Sequence, residues 1–293
     1  MLARLLSGLL RRPKSLPGDS APAASDVEEI LRRAGTCAAD GLNDEAIALC
    51  RQALLIEPKN VVARRVLARA SLPGENYREV MRRIHAYLRP RTYLEIGVSK
   101  GETIALVDPA TAAIGIDPSP KIDRPLTART RIFAETSDDF FARHDPAAEM
   151  GGLPIELAMI DGMHHFEFAL RDFINVERHC SGDSTVLIHD CYPLDELTAG
   201  RERVTEFWSG DIWKLVLCLK KYRPDLAVHT VACAPTGLTI VRKLDPASPV
   251  LAASLRAICA EFMDLPYSTL DGRKAELLNL YPNDWGRVRE LLG

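Results

Sequence analysis

The stretch Tyr93-Leu-Glu-Ile-Gly-Val-Ser-Lys-Gly-Glu-Thr103, followed by Ala113-Ile-Gly-Ile-Asp117, decides how the rest of the chain is read. Each piece opens on a short apolar run, and the first breaks at Gly97 and again at Gly101. A buried strand that ends in glycine and reopens as a helix is the first half of a βαβ unit. The spacing predicts that helix over 101–107. Glycines at such a junction let the backbone approach a ligand closely, and the helix N–H groups face it.

Outward from this junction the same alternation continues. Apolar runs at 92–96, 113–117, 130–134, 156–161, 184–189, 226–232 and 237–242 read as strands. The stretches 136–143, 165–180 and 211–222 read as helices between them. This predicts a Rossmann-like α/β fold with a seven-stranded, mostly parallel sheet. The turn Ala234-Pro235-Thr236 is too short for a crossover, so the last two strands pair antiparallel. Tyr77–Leu88 reads as an amphipathic helix leading into the sheet, and residues 245–293 as mainly helical. The apolar positions Ile30, Ala34 and Cys37, then Ala46, Leu49, Cys50, Ala53 and Leu54, form two stripes around Gly41, which predicts a helical hairpin over 27–57. The chain thus divides into 1–26, a basic amphipathic start and flexible linker; 27–75, a helical segment; 76–243, the α/β domain; and 244–293, a C-terminal helical extension.

Composition narrows the function. The chain has 293 residues, 47% apolar and 26% charged, with a net charge of −3. Nothing in that balance marks a general nucleic-acid binder. No apolar run reaches the roughly 18 residues of a membrane-spanning helix. The seven cysteines are scattered, without a C-x-x-C pair, which fits reduced thiols in a cytoplasmic protein. Arg4, Arg11, Arg12 and Lys14, set among leucines, allow a weak membrane or protein contact through residues 1–14, or a frayed terminus.

Glu95 sits just before the first turn, where a carboxylate accepts from an ammonium or an ordered water. Asp117 ends the second strand, where an acid holds two ribose hydroxyls. Dinucleotide and S-adenosylmethionine sites share that ribose acid. A dinucleotide site wants G-x-G-x-x-G to admit pyrophosphate. Ser99 occupies the second glycine position here, and an acid before the turn repels phosphate but suits a cationic methionine moiety. S-adenosylmethionine therefore fits better than NAD.

With these residues the chain resembles the class I S-adenosylmethionine-dependent methyltransferases, over roughly residues 76–243. The resemblance rests on Glu95–Gly101, on Ile116-Asp117 and on the strand order in which the seventh strand inserts between the fifth and sixth. It implies that Glu95, Gly97, Ser99 and Gly101 face the methionine part, that Asp117 takes the ribose, and that Ser137 and its neighbours lie near adenine. Two further stretches, Ile160-Asp-Gly-Met-His-His-Phe-Glu-Phe-Ala-Leu-Arg-Asp172 and Val186-Leu-Ile-His-Asp-Cys-Tyr192, resemble the bacterial methyltransferase family 24 branch, allied to sugar and antibiotic O-methyltransferases. Ala34, Gly41, Ala46, Ala53 and Pro58 stand at the offsets of a tetratricopeptide repeat, which implies an accessory cap or dimerisation arm and with it a homodimer; a plain helical hairpin packed on the main domain fits the same residues.

Both motif stretches begin at strand ends on the ligand edge of an open α/β sheet. Asp161, His164, His189 and Asp190 are thereby expected in one pocket, as catalytic residues, with Asp161 also near the cofactor. Two chemistries follow for an acceptor hydroxyl. A histidine serves as base, oriented by Asp161 or Asp190; or the two aspartates hold Mg²⁺ or another divalent metal that lowers the hydroxyl pKa. The implied activity is methyl transfer to a small-molecule or sugar-like acceptor. The alternative is a non-catalytic or regulatory protein that keeps this fold and works through its helical arm. The insertion 191–225, with Arg201, Arg203, Trp208, Trp213 and Lys214, either shapes the acceptor pocket or packs on the sheet.

Overall fold

The structure is a computed structural model that describes residues 24–126 and 129–293. The basic residues of 1–14 lie outside the described residues. Three helices open the described residues: α1 (Ala24–Ala39), α2 (Asn43–Ile56) and α3 (Val61–Ser71). Ala34, Ala46, Ala53 and Ala63 meet at their contacts with no exposed surface, so the backbones approach closely. Asn60 caps α3 by accepting from the Ala63 amide at 2.8 Å, which satisfies one of the free N–H groups of the first turn. The hairpin expected over 27–57 is thus present and is extended by a third helix. Helix α4 (Tyr77–Leu88) starts at Asn76, whose side chain and that of Glu79 form a reciprocal capping box.

The α/β part follows as β1 (Thr92–Ile96), β2 (Ala112–Ile116), β3 (Arg129–Phe133), α5 (Ser137–Arg143), α6 (Pro146–Glu149), β4 (Ile155–Ile160), α7 (Phe166–Arg178) and β5 (Cys180–His189). After it come α8 (Glu196–Ala199), α9 (Trp213–Tyr222), β6 (Ala227–Val231), β7 (Leu238–Arg242), α10 (Val250–Phe262), α11 (Lys274–Leu277), β8 (Leu280–Tyr281) and α12 (Trp285–Leu292). The strand order is β3-β2-β1-β4-β5-β7-β6-β8. The first five strands run parallel and β7 pairs antiparallel with both β5 and β6, as expected.

Two expectations are corrected. The sheet has eight strands, not seven, because Leu280 and Tyr281 pair in parallel with Thr230 and Val231. Two residues flanked by Asn279 and Pro282 carry no alternating pattern, so nothing in that stretch reads as a strand. The helix expected over 101–107 is a single 3₁₀ turn, Ile104–Leu106. Ser99 (φ 46°) and Gly101 (φ 78°) spend the approach in left-handed turns, and Asp108-Pro109 ends the chain's chance to continue.

Apolar layers cover both faces of the sheet. Phe166, Phe173 and Trp213 fill one side, and Val80, Met81, Ile84 and Tyr93 the other. The helical arm is tied to the sheet's insertion: Arg64 of α3, buried, bonds Asp195 at 3.0 Å, and Leu194 packs against Ala34, Cys50 and Leu67.

Candidate active site

The carboxyl ends of β1, β2, β4 and β5 open onto one cavity of ≈ 870 Å³. Its floor is made by two strand-end turns that touch. Gly97 has φ 89°, and a Cβ there would lie 1.9 Å from the Asp161 carbonyl oxygen. The Asp161 amide donates to Ile96 O and the Gly97 amide to Ile116 O, so three strand ends are stitched together. Glycine is demanded at 97 by this backbone crossing, a reason independent of any ligand.

Ser99 and Asp117 both line the cavity. The Ser99 amide donates to Asp117 Oδ2 at 2.8 Å and the Ser119 amide to Oδ1 at 2.7 Å. The carboxylate is thereby fixed in orientation, with lone pairs left for a ligand's hydroxyls. Ser99 adopts the left-handed turn without glycine, at a cost of about 1 kcal/mol. Ser137 lines the cavity and donates to Asp172 Oδ1 at 2.5 Å. Burial pushes the Asp172 carboxyl up to about 7, against the Ser137 hydrogen bond.

Glu95 and Gly101 lie elsewhere. Glu95 is fully buried behind the cavity wall, where it accepts from Tyr93 Oη at 2.7 Å and Thr103 Oγ1 at 2.6 Å. Burial pushes its carboxyl up to about 8, even though both hydroxyls stabilise the charge. Gly101 faces the Ile122 side chain instead of the cavity.

The four residues expected to share a pocket are together. His164 Nε2 lies 3.1 Å from Asp190 Oδ2 and 3.4 Å from Asp161 Oδ1. His189 Nδ1 lies 3.3 Å from Asp161 Oδ1 and 3.5 Å from Asp190 Oδ2. Burial works against charge throughout this cluster, but here the opposite charges win. Burial lowers His164, yet Asp190 and then Asp161 raise it to about 9. His189 is likewise depressed by burial and raised by Asp190 and Asp161 to about 10. Burial would raise Asp161, but His189 and His164 hold it well below the usual carboxylate range. The two carboxylates, Asp190 buried and Asp161 half-buried, thus demand positive charge beside them, and protons on the imidazoles supply it. Asp190 sits at φ 60°, a strained conformation for a side-chain-bearing residue and one typical of functional turns.

The insertion holds His164 in place. Gly210 passes so close that a Cβ would lie 1.9 Å from His164 O. Trp208 stacks on the His164 ring at 5.2 Å between centroids. Asp211 accepts from the Phe166 amide at 2.7 Å and pairs with Arg201 and Lys214, while Arg201 also binds Glu167. Trp213 is buried in the core. Of the insertion's basic residues named above, Arg203 lines the cavity. His165 turns away and bonds Arg201 O.

Two residues of this site escaped the sequence reading. Tyr77, the first residue of α4, lines the cavity and stacks on His189 at 4.0 Å. Thr236, in the β6–β7 turn, donates to Asp190 Oδ1 at 2.5 Å and lies 3.4 Å from His189 Nε2.

Asp161, His164 and Asp190 each offer a ligand atom within 4.8 Å of the others. Two carboxylates and an imidazole suit a divalent cation that accepts nitrogen, such as Mn²⁺ or Zn²⁺, better than Mg²⁺.

Residues 94–191 match a family model described as a methyltransferase domain. No curated protein matches the chain in sequence. Among solved structures, the O-methyltransferase TomG of Streptomyces achromogenes, involved in tomaymycin synthesis and bound to SAM, is similar with 12% identity and TM-score 0.45, over 57% of this chain and 79% of that one. Cofactor-bound Rv0187 from MTB gives 13% identity and TM-score 0.46, over 76% of this chain and 99% of that one. An O-methyltransferase from Bacillus cereus with SAH gives 13% identity and TM-score 0.42, over 75% and 91%.

Proposed function

We infer that this chain, whose residues 94–191 match a family model described as a methyltransferase domain, is an S-adenosylmethionine-dependent enzyme that methylates a hydroxyl group on a small acceptor. One observation carries the reading. A single cavity has the amide-held Asp117 carboxylate at one strand end and the Asp161–His164–His189–Asp190 cluster at two others. The first suits a ribose, and the second suits a nucleophile that must shed a proton. Bound S-adenosylmethionine would supply an activated methyl group beside the cluster.

Methyl transfer is an in-line displacement. The acceptor oxygen forms a bond to the methyl carbon, the carbon–sulfur pair returns to sulfur, and the hydroxyl proton must leave. The chain's own part is to position and to take that proton. Asp161 and Asp190 fix both imidazoles, Thr236 fixes Asp190, and Trp208 and Tyr77 cover the rings. An imidazole accepts the proton only once neutral, so activity without metal should rise with pH toward the raised histidine values. A divalent cation held by Asp161, His164 and Asp190 would replace the imidazole protons as the cluster's positive charge and lower the hydroxyl pKa. The proximity of this polar cluster to Asp117 favours an enzyme over a protein acting through its arm alone.

The test is calorimetric titration with S-adenosylhomocysteine. Asp117→Ala should weaken binding at least about tenfold, the worth of charge-assisted hydrogen bonds. Unchanged affinity in that variant would remove the ribose assignment and with it the reading.

A further inference from the structure

A second cavity, of ≈ 570 Å³, lies beside the first, and Tyr77 and His189 line both. Asp117 lines the first only. An acceptor must attack from the side of the methyl group opposite the departing sulfur. On the reading above, the donor's ribose sits at Asp117 and the reaction occurs at the cluster. The acceptor then enters from beyond His189, where the second cavity opens. Its volume is ordinary for a small-ligand pocket.

The walls of this cavity are unusual in charge. Helix α3 lends it Arg65 and Arg69, which are one helical turn apart on the same face. Both are exposed, and neither has a carboxylate partner among the described residues. Like charges at this spacing repel, and α3 contains no acid to relieve them. The other charged groups of the wall are committed. Arg78 binds Glu102, and Glu79 accepts from the Asn76 amide in the capping box. Arg64, the third arginine of α3, is spent on Asp195 and locks the helix over the cavity. Leu72, Phe207 and Pro235 add apolar surface to the same wall.

We propose that Arg65 and Arg69 of the helical arm bind an anionic group, a carboxylate or a phosphate, on the acceptor, so that the arm selects hydroxylated anions for the cluster at His189. Guanidinium groups pair with either anion through parallel N–H···O bonds, and the apolar wall takes the carbon skeleton between anion and hydroxyl. The arm is therefore part of the acceptor site, and the proposal rests on the methyltransferase reading for the direction of approach alone.

The experiment titrates the full chain, with and without S-adenosylhomocysteine, using matched probes: protocatechuate against catechol for the carboxylate arm, glycerol phosphate against glycerol for the phosphate arm. At least one anion should bind about tenfold more tightly than its neutral match, the worth of one charge-assisted contact. Arg65→Gln with Arg69→Gln should abolish that preference and leave S-adenosylhomocysteine affinity unchanged. Both substitutions are at exposed positions, so folding is not at stake. Neither anion outbinding its neutral match, or a preference that survives the double substitution, would overturn the proposal. Failure of S-adenosylhomocysteine to bind, with the anion preference intact, would instead count against the methyltransferase reading and leave the arginine site standing.

Discussion

Gly97→Ala tests whether the site is organised by backbone crossing. The added Cβ would lie 1.9 Å from Asp161 O and 2.4 Å from its carbonyl carbon, both backbone atoms that no rotamer change can clear. To reach even the 3.0 Å that real contacts rarely pass, the β1 and β4 turns must separate by about 1 Å. The φ of 89° adds a conformational cost of about 1–2 kcal/mol. Overpacking adds about 1–3 kcal/mol. Gly41→Ala is the control: its φ is 78°, with nothing within 4 Å of the added methyl, so it carries the conformational cost alone. Denaturant unfolding should therefore place Gly97→Ala below Gly41→Ala in stability by the overpacking share. Separating the turns that carry Ser99 and Asp161 by about 1 Å should also cost on the order of a hundredfold in methyl-transfer rate, and calorimetry should show weakened S-adenosylhomocysteine binding. If Gly97→Ala is no less stable than Gly41→Ala and binds as well as the parent, the crossing is not what requires glycine.

Three further outcomes are expected. Glu95→Gln should leave S-adenosylhomocysteine affinity within about threefold, because the carboxyl is spent on Tyr93 and Thr103; a loss beyond about tenfold, equivalent to a charge-assisted bond, would put its charge in contact with ligand. In EDTA-treated protein, His164 and His189 have folded values above the ordinary 6.5, so their contribution to stability is full below pH 6.5 and drains as pH rises through about 9 and 10. Glu95 drifts in the same direction between 4.5 and about 8, so the decisive comparison is with His189→Gln, whose stability should fall less between pH 6 and 10 than the parent's, by denaturant unfolding; parallel profiles would refute the charged-imidazole picture. Titration with Mn²⁺ should show binding that tightens as pH rises, since the cation competes with the imidazole protons, and Asp190→Asn should weaken it at least about tenfold; binding indifferent to both would remove the cation from this cluster.

Much of this architecture is legible because local pattern and tertiary role agree. The runs at 92–96 and 157–160 are buried on both faces, and parallel strands read as near-continuous apolar stretches. The three-residue turn at Ala234–Thr236 forces the antiparallel ending by length alone. Local pattern fails where partners supply the structure. Leu280–Tyr281 becomes a strand only because β6 presents a free edge. The stretch 101–107 has a helix's composition, yet the left-handed turns at Ser99 and Gly101 and the burial of Ile104 under the sheet leave room for one 3₁₀ turn.

The site divides in the same way. Asp161, His164, His189 and Asp190 were legible because they follow adjacent parallel strands, and strand adjacency converts sequence position into distance. Glu95 shows the limit of that conversion. Alternation along β1 puts its side chain on the same face as Tyr93, and the Tyr93 hydroxyl claims the carboxylate before any ligand can. Tyr77 and Thr236 carry no motif, and each reaches the cluster from an element that touches β5 only after folding. The arginines of α3 are further still from any motif. Nothing in the sequence of 61–70 points to a ligand; the bond from buried Arg64 to Asp195 holds α3 beside the cavity that His189 also lines. A helical arm that spends one arginine on docking and leaves two exposed beside a cavity offers charge to an anion there, and on the proposal above a hydroxyl of the same molecule would meet the cluster through His189, which lines that cavity too.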